Sequence, residues 1–293
     1  MSTAKAAQAI GVVHTKQALR ARIDAWRSEG LTIAFAPTMG ALHKGHLSLI
    51  KQGRALADRT VASIFVNPTQ FAPGEDLETY PRDERRDLDL LEAEGCDLAY
   101  LPSADQIYPE GFQTRISVED FSKGLCGASR PHFFGGVATV VCKLLHQCRP
   151  DIAVFGEKDF QQLRLIDRMV RDLDMDIDIV GAPIVREPDG LAMSSRNAYL
   201  SAAERAVAGG LNVVIAEMAA ALRAGENVED VVESGRRSLS ENGFEALDYL
   251  EVRRADDLSL TEAGPAPADA RIFAAAMVGK TRLIDNCAVF EQP

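Results

Sequence analysis

The sequence predicts an α/β fold, with a doubly wound parallel sheet followed by a second, smaller α+β domain. Three observations carry this prediction. Short apolar runs rich in β-branched residues alternate with helix-period segments as far as about Pro183. Beyond that point the order changes to helices followed by strand-like runs. Polar, glycine-bearing motifs directly follow several of the early apolar runs, where ligands bind in open α/β sheets.

The buried parallel strands are expected at residues 32–36, 61–66, 97–101, 151–155 and 177–184. Leu163, Ile166, Val170 and Leu173 recur at helical spacing, which predicts a helix facing the sheet. These elements make residues 1–182 a Rossmann-like domain and leave residues 183–293 for the second domain. There, Val207, Leu211, Val214, Ile215, Met218 and Leu222 form one helical stripe, and a further helix is expected over 227–242. Strands follow at 247–253, 271–278 and 281–289, with Gly279-Lys280 as a hairpin turn between the last two. Residues 255–270, with Gly264-Pro265-Ala266-Pro267, read as a loop.

Composition excludes several classes. A chain of 293 residues that is 46% hydrophobic can bury a core in one large or two moderate domains. Lys+Arg of 32 against Asp+Glu of 43 gives a net charge of −11, which disfavours a nucleic-acid partner. Any site for an anion must be a local positive exception. Cys96, Cys126, Cys142, Cys148 and Cys287 are odd in number and contain no Cys-x-x-Cys pair. Buried free thiols in a reducing cytoplasm are expected rather than a disulfide framework or a zinc site. No stretch is expected to reach the about eighteen apolar residues of a membrane span.

The chemistry concentrates after the strands. Pro37-Thr38-Met39-Gly40-Ala41-Leu42-His43-Lys44-Gly45-His46 follows the first one and leads into a helix expected from about Gly45. A helix N-terminus offers unpaired N–H groups and partial positive charge, which suits phosphate. Glycine lets a ligand approach the backbone. His43 and His46, three apart, share a helix face. Capping or core histidines fit the same spacing, and metal ligation lacks an evident third ligand nearby. The loop is neither a Walker P-loop nor a Gly-x-Gly-x-x-Gly fingerprint. After the second strand, Asn67 and Gln70 suit a ligand with hydroxyl and carboxylate groups, while a polar turn around Pro68 accounts for them equally. After the fourth, Gly156-Glu157-Lys158-Asp159 gives backbone access and a point charge, with Gln162 one turn further on; Lys158 can instead pair with its acidic neighbours. After the fifth, a Pro188-Asp189-Gly190 turn precedes Met193-Ser194-Ser195-Arg196, whose hydroxyls and guanidinium can bind phosphate, although a Ser-Ser-Arg loop on its own is commonplace.

The His-x-Gly-His loop resembles that of the nucleotidylyltransferase superfamily, and Met193-Ser194-Ser195-Arg196 resembles its Lys-Met-Ser-Lys-Ser loop. With residues 63–71, Asp76-Leu77-Glu78-Thr79-Tyr80-Pro81-Arg82, 156–162 and 189–199, the set resembles the pantoate–β-alanine ligase family over roughly residues 10–290. That resemblance implies ATP-dependent formation of pantoyl-adenylate and pyrophosphate, then attack by β-alanine to give pantothenate and AMP. It implies ATP contacts from Pro37, Thr38, Met39, Gly40, Ala41, Leu42, His43, Lys44, Gly45, His46, Gly156, Glu157, Lys158, Asp159, Val185, Met193, Ser194, Ser195 and Arg196. His46 takes the proton-donor role and His43 the phosphate-holding role, with Lys158 and Arg196 as the other catalytic groups. Gln70, Gln162, Asn67 and Arg130 are the implied pantoate and β-alanine contacts. Mg²⁺ is implied with the nucleotide, its protein ligands unidentified, and a homodimer is implied in the cytoplasm.

One segment departs from the family pattern. Arg130-Pro131-His132-Phe133-Phe134-Gly135-Gly136-Val137 stands where the family commonly reads Arg-Pro-Gly-His-Phe-Arg-Gly-Val, so His132 is assigned no role. Gly135-Gly136 is expected to permit a tight helix entry. The second domain is expected to act as a lid, because an acyl-adenylate is easily hydrolysed. Two other readings keep the first loop: a coenzyme-forming nucleotidylyltransferase that retains AMP in its product, and a non-catalytic nucleotide sensor.

Overall fold

The computed structural model describes residues 9–290 except Pro73 and Asp76, so Asp76 of the 76–82 segment lies outside the described residues, as do both chain ends. The first sheet comprises β1 (Gly11–Val13), β2 (Ile33–Thr38), β3 (Arg59–Ile64), β4 (Leu98–Tyr100), β5 (Ile152–Gly156) and β6 (Asp178–Ala182). All its pairings are parallel, in the order β1-β4-β3-β2-β5-β6. Successive strand residues face opposite sides, and both sides are buried. Phe35, Val61, Leu98 and Ala153 enter one apolar cluster, while their neighbours Ala36, Ala62, Ala99 and Val154 enter another.

The helices of this domain are α1 (Lys16–Ser28), α2 (Lys44–Leu56), α3 (Glu84–Ala93), the short α4 (Ala104–Ile107) and α5 (Leu125–Ser129), α6 (Phe133–Cys148) and α7 (Phe160–Asp172). Helices α1, α6 and α7 supply Leu19, Ile23, Leu145 and Ile166 to the first cluster; α2 and α3 supply Leu49, Ile50 and Leu91 to the second. Chain order runs outward from β2 through β3 to β4, and in the other direction from β5 to β6. The switch point therefore lies between β2 and β5, and their carboxyl ends are the place for a ligand.

Several expectations shift. β1 was not anticipated, since a three-residue edge strand carries no readable period. The last parallel strand ends at Ala182 rather than 184, and α2 starts at Lys44 rather than Gly45. Leu173 lies just past α7 and is 48% exposed, so it does not face the sheet; Met169 does.

The second sheet is antiparallel, in the order β10-β9-β7-β8, from β7 (Ala246–Arg254), β8 (Leu260–Thr261), β9 (Ala270–Val278) and β10 (Thr281–Ala288). β8 falls within the expected 255–270 loop, where two residues pair with Val252 and Arg253. Gly279-Lys280 joins β9 to β10, with Gly279 at φ 55°. Helices α8 (Ala202–Ala208), α9 (Gly210–Arg223) and α10 (Val228–Glu241) contribute Ala208, Leu211, Val214, Ile215, Met218, Leu222, Val231 and Leu239 to its core. Contrary to expectation, one run, Ala202–Arg223, is long and apolar enough for a membrane span, with a mean hydropathy of 1.4. Its apolar stripe packs into this core. The two domains share apolar packing too, for Tyr249, Leu258 and Phe273 join the cluster that holds Phe155 and Phe160.

Candidate active site

The loop after β2 turns through two left-handed residues, Gly40 (φ 81°) and Ala41 (φ 50°). Glycine adopts this readily, whereas Ala41 costs about 1 kcal/mol. Asp87 of α3 offsets that strain. Its buried carboxylate accepts from the N–H groups of Ala41 and Leu42, both at 2.8 Å. Burial raises the Asp87 pKa, opposed by these two hydrogen bonds. Arg86 donates to the Leu42 carbonyl at 3.2 Å, and Ser195 Oγ donates to the Ala41 carbonyl at 3.2 Å, joining the first loop to the second phosphate-binding candidate.

His43 caps α2. Its Nδ1 accepts from Gly45 N at 3.1 Å, and His46 Nδ1 accepts from His43 N at 3.4 Å, a reciprocal capping box. The rings lie 4.0 Å apart between centroids, and both line the cavity. An Nδ1 that accepts leaves the proton of a neutral imidazole on Nε2. Capping and ligand binding are thus compatible, one nitrogen serving each. Burial, His43 and Lys158 push the His46 pKa down from 6.5 to about 3. Burial and Lys158 lower that of His43 to about 4, against the opposing pull of Glu187 and Asp159. Near neutral pH both rings are uncharged donors. Positive charge in the cavity comes instead from the α2 N-terminus and from Lys158, Arg196 and Lys280, while the other lining cations, Arg130 and Arg282, are paired with Glu75 and Asp248.

Lys158 sits on a 3-10 turn, Glu157–Asp159, between β5 and α7. It does not pair with Glu157, which binds Arg271 at 2.9 Å. Among the described residues no carboxylate lies within 4.0 Å of its ammonium. Gln162 lines the cavity, while its neighbour Gln161 is tied to the Phe121, Lys123 and Gly124 carbonyls and to Cys126 N.

Asn67 precedes the 3-10 turn Pro68–Gln70 and is 1% exposed. Its Nδ2 donates to Gln70 Oε1 and to the Gly136 carbonyl, each at 3.2 Å, while its Oδ1 accepts from Tyr108 at 2.8 Å and from Thr69. With its amide so engaged, Asn67 orients Gln70 instead of offering a free group. Gln70 Nε2 is left with the weak acceptor Met39 Sδ at 2.8 Å. The paired glycines have a reason other than helix entry. A Cβ on Gly136 would stand 2.4 Å from the Thr69 carbonyl oxygen, and one on Gly135 would stand 2.6 Å from the Arg115 guanidinium. The bare Cα of Gly136 lets α6 press against the 68–70 turn, while Gly135 leaves room for the Arg115 side chain. Arg130 lines the cavity as half of an ion pair, with Glu75 Oε2 at 2.6 Å and the Gln70 carbonyl at 3.1 Å. Its charge is thus largely compensated.

The segment after β6 folds back on itself. Arg186 bridges to Ala192, Met193 N donates to the Val185 carbonyl at 3.0 Å, and Asn197 Nδ2 holds Glu187 at 2.8 Å. Ser194 caps the 3-10 turn Ser195–Tyr199 by accepting from Arg196 N.

These segments enclose a cavity of about 590 Å³ at the switch point. Pro37, Thr38, Met39, His43, Gly45, His46, Gly156, Lys158, Asp159, Val185, Met193, Ser194, Ser195 and Arg196 line it, together with Asn67, Gln70, Arg130 and Gln162. Gly40, Ala41, Leu42, Lys44 and Glu157 do not. Gly40 and Ala41 turn toward Asp87, Leu42 is core, Lys44 is exposed and Glu157 faces Arg271. Sequence reasoning missed Asp87, Tyr108 and the second-domain wall formed by residues 280–286. Only the wall had a signal of sorts, the charged and polar residues at the start and end of an otherwise strand-like run.

A helix N-terminus, two neutral N–H donors and several separated cations around one crevice suit attack on a nucleoside triphosphate. The fold and cavity define the class: an α/β enzyme that transfers a nucleotidyl group. Comparison with known proteins narrows it. The model of the family described as pantoate-beta-alanine ligase matches residues 11–288. The pantothenate synthetase of Paramagnetospirillum magneticum is 54% identical over 281 residues, covering 96% of this chain and 98% of the relative. That of Caulobacter vibrioides is 51% identical over 279 residues, covering 95% and 98%. The crystal structure of pantothenate synthetase from Thermus thermophilus superposes with a TM-score of 0.90 at 42% identity, covering 96% of this chain and all of the other. That of pantoate-beta-alanine ligase from Francisella tularensis, complexed with beta-gamma ATP and beta-alanine, gives 0.80 at 34% identity, covering 96% and 98%. The chain belongs to the pantoate–β-alanine ligase family.

Proposed function

We propose that this chain condenses pantoate with β-alanine, using ATP to form pantoyl-adenylate and pyrophosphate, then releasing pantothenate and AMP. The observation that carries this reading is the single switch-point cavity that unites the His43–His46 helix start, Lys158, the 193–196 loop, Gln70 and Gln162. A carboxylate is a poor acceptor for an amine because its oxygen leaves badly; adenylation replaces that oxygen with AMP, a better leaving group. A pantoate carboxylate oxygen attacks the α-phosphorus in line, and pyrophosphate departs. The β-alanine nitrogen then attacks the acyl carbon, and AMP departs.

Bringing two anions together requires positive charge. Lys158, Arg196 and the α2 N-terminus supply it, and His43 and His46 add fixed Nε2–H donors that need no reorganisation during reaction. His46 acts in this reading as a neutral hydrogen-bond donor to the phosphates. Gln70 and Gln162 hold the pantoate hydroxyl and carboxylate, with Asn67 and Arg130 supporting Gln70 from behind. Magnesium enters with the nucleotide. Bound there, such a hard, oxygen-seeking cation would neutralise charge on the phosphates.

The same proposal assigns residues 1–182 to ATP and pantoate and residues 183–293 to the domain that closes the cavity, already docked through shared apolar packing. It includes a homodimer in the cytoplasm, without nucleic-acid or membrane partners. The test is isotope exchange between pyrophosphate and ATP with pantoate present and β-alanine absent. Exchange is expected. Its absence in folded protein overturns the mechanism.

A further inference from the structure

Lys158 projects from a three-residue turn whose capping residue, Gly156, brings no side chain to hold it. The turn is held from the other domain. Asn286 of β10 donates through Nδ2 to the carbonyls of both Glu157, at 3.0 Å, and Lys158, at 2.9 Å. Its Oδ1 accepts from Arg271 Nε at 2.6 Å, and the same guanidinium reaches the Glu157 carboxylate at 2.9 Å. Asn286 is 2% exposed. Its orientation is forced, because only the NH₂ group can serve two carbonyls and only the oxygen can accept from arginine. The preceding residue works on the other phosphate-binding segment. Asp285 takes two hydrogen bonds from Arg186, at 2.6 and 3.0 Å, and a third from Asn286 N at 2.8 Å.

We propose that Asn286 is a positioning residue for adenylation. It fixes the main chain from which Lys158 reaches the nucleotide, and it does so from the second domain. The inference rests on the reading of Lys158 as a phosphate-binding cation. Loss of the carboxamide frees two carbonyls, and the turn can rotate the lysine stem away from the α-phosphate. Displacements of about 1 Å at a reacting group cost on the order of a hundredfold in rate.

The test is a double-mutant cycle read by pyrophosphate–ATP exchange in the full-length enzyme with pantoate present. Asn286→Ala is expected to lower the exchange rate by about tenfold to a hundredfold, with the KM for pantoate changed less than about twofold. In a Lys158→Ala background the same substitution is expected to cost less than about twofold, since no ammonium remains to be placed. Asn286→Asp sets an acceptor against two acceptors and is expected to be impaired at least as much as Asn286→Ala. Thermal unfolding establishes that each variant is folded. If Asn286→Ala does not fold, Asn286→Ser, which keeps one donor, enters the same cycle. Equal losses in both backgrounds, or near-normal exchange in the single variant, overturn the proposal. Near-normal exchange by Lys158→Ala alone removes the underlying reading as well. Impaired Lys158→Ala with unimpaired Asn286→Ala sinks only the positioning role.

Discussion

The parallel and antiparallel sheets reach the same cavity by different means. The first presents its chemistry on loops at strand ends, where His43, His46, Gln70 and Lys158 follow β2, β3 and β5. The second reaches in from within a regular strand, where Asn286 holds the Glu157–Asp159 turn of the first domain and Asp285 holds Arg186 in the segment after β6. Groups proposed to meet the ligand sit where the backbone is free to bend. Groups that fix those loops sit where it is not, since a ladder-bonded strand loses little precision to thermal motion. The contrast predicts that damage to the first set appears in rate and damage to the second in stability or in loop placement.

The largest expected effect tests the first set. His46→Ala is expected to slow pyrophosphate release by about two to four orders of magnitude. His46→Glu keeps an acceptor for His43 N but carries no donor for phosphate, and so separates cap from chemistry. It should match His46→Ala in rate while keeping more of the stability, and near-normal release by either variant would remove the histidine from the reaction. A middle-sized effect tests the second set. Asp285 has a side chain 1% exposed, and Arg186→Leu leaves it with only the Asn286 N–H. Urea unfolding is expected to show a loss of about 3 kcal/mol. Breaking the exposed Arg168–Asp172 pair by Arg168→Ala should cost under about 0.5 kcal/mol. Equal losses in the two variants would mean that β10 does not hold the 185–197 segment.

The smallest effect concerns pH. The His43 and His46 pKa values are lowered from 6.5 to about 4 and about 3 in the folded protein, so below pH 6.5 the unfolded chain takes up protons that the folded chain refuses. Stability of the ligand-free protein therefore falls as pH drops from about 6.5 toward 4, and this contribution levels off below the folded values. His46→Gln should flatten the fall between pH 7 and pH 5 in urea midpoints. An unchanged slope would show that the ring is charged in the fold.

Much of this architecture was legible in the sequence. Ile33, Ala34, Phe35 and Ala36 are buried in succession, which is how a strand covered on both faces must read. The His-x-Gly-His segment is contiguous, so its chemistry and its helix start were visible together. The two readings of its histidines, as caps or as ligand groups, were not true alternatives, because each ring has two nitrogens. β1 and β8 escaped because they are edge strands of three and two residues, whereas β4, equally short but central, was read from the longer apolar run around it. Asp87 lies 46 residues from the Ala41 N–H it accepts, inside an acidic helix where one more carboxylate signals nothing. Asn286 lies 128 residues from Lys158, and in sequence it is one polar residue in an amphipathic strand. Pairings of that kind exist only after the sheets have docked.

β10 is also the last strand in chain order. A polypeptide emerges from the ribosome N-terminus first and its domains fold as units. The crevice between β2 and β5, with its histidines and its lysine, is therefore synthesised before the residues that anchor Lys158. A nascent chain, or one clipped ahead of the β9–β10 hairpin, carries a nucleotide crevice whose lysine is loosely aimed. On the proposed role of Asn286, full competence for adenylate formation arrives only with that hairpin, the same part of the chain that forms the second-domain wall of the cavity.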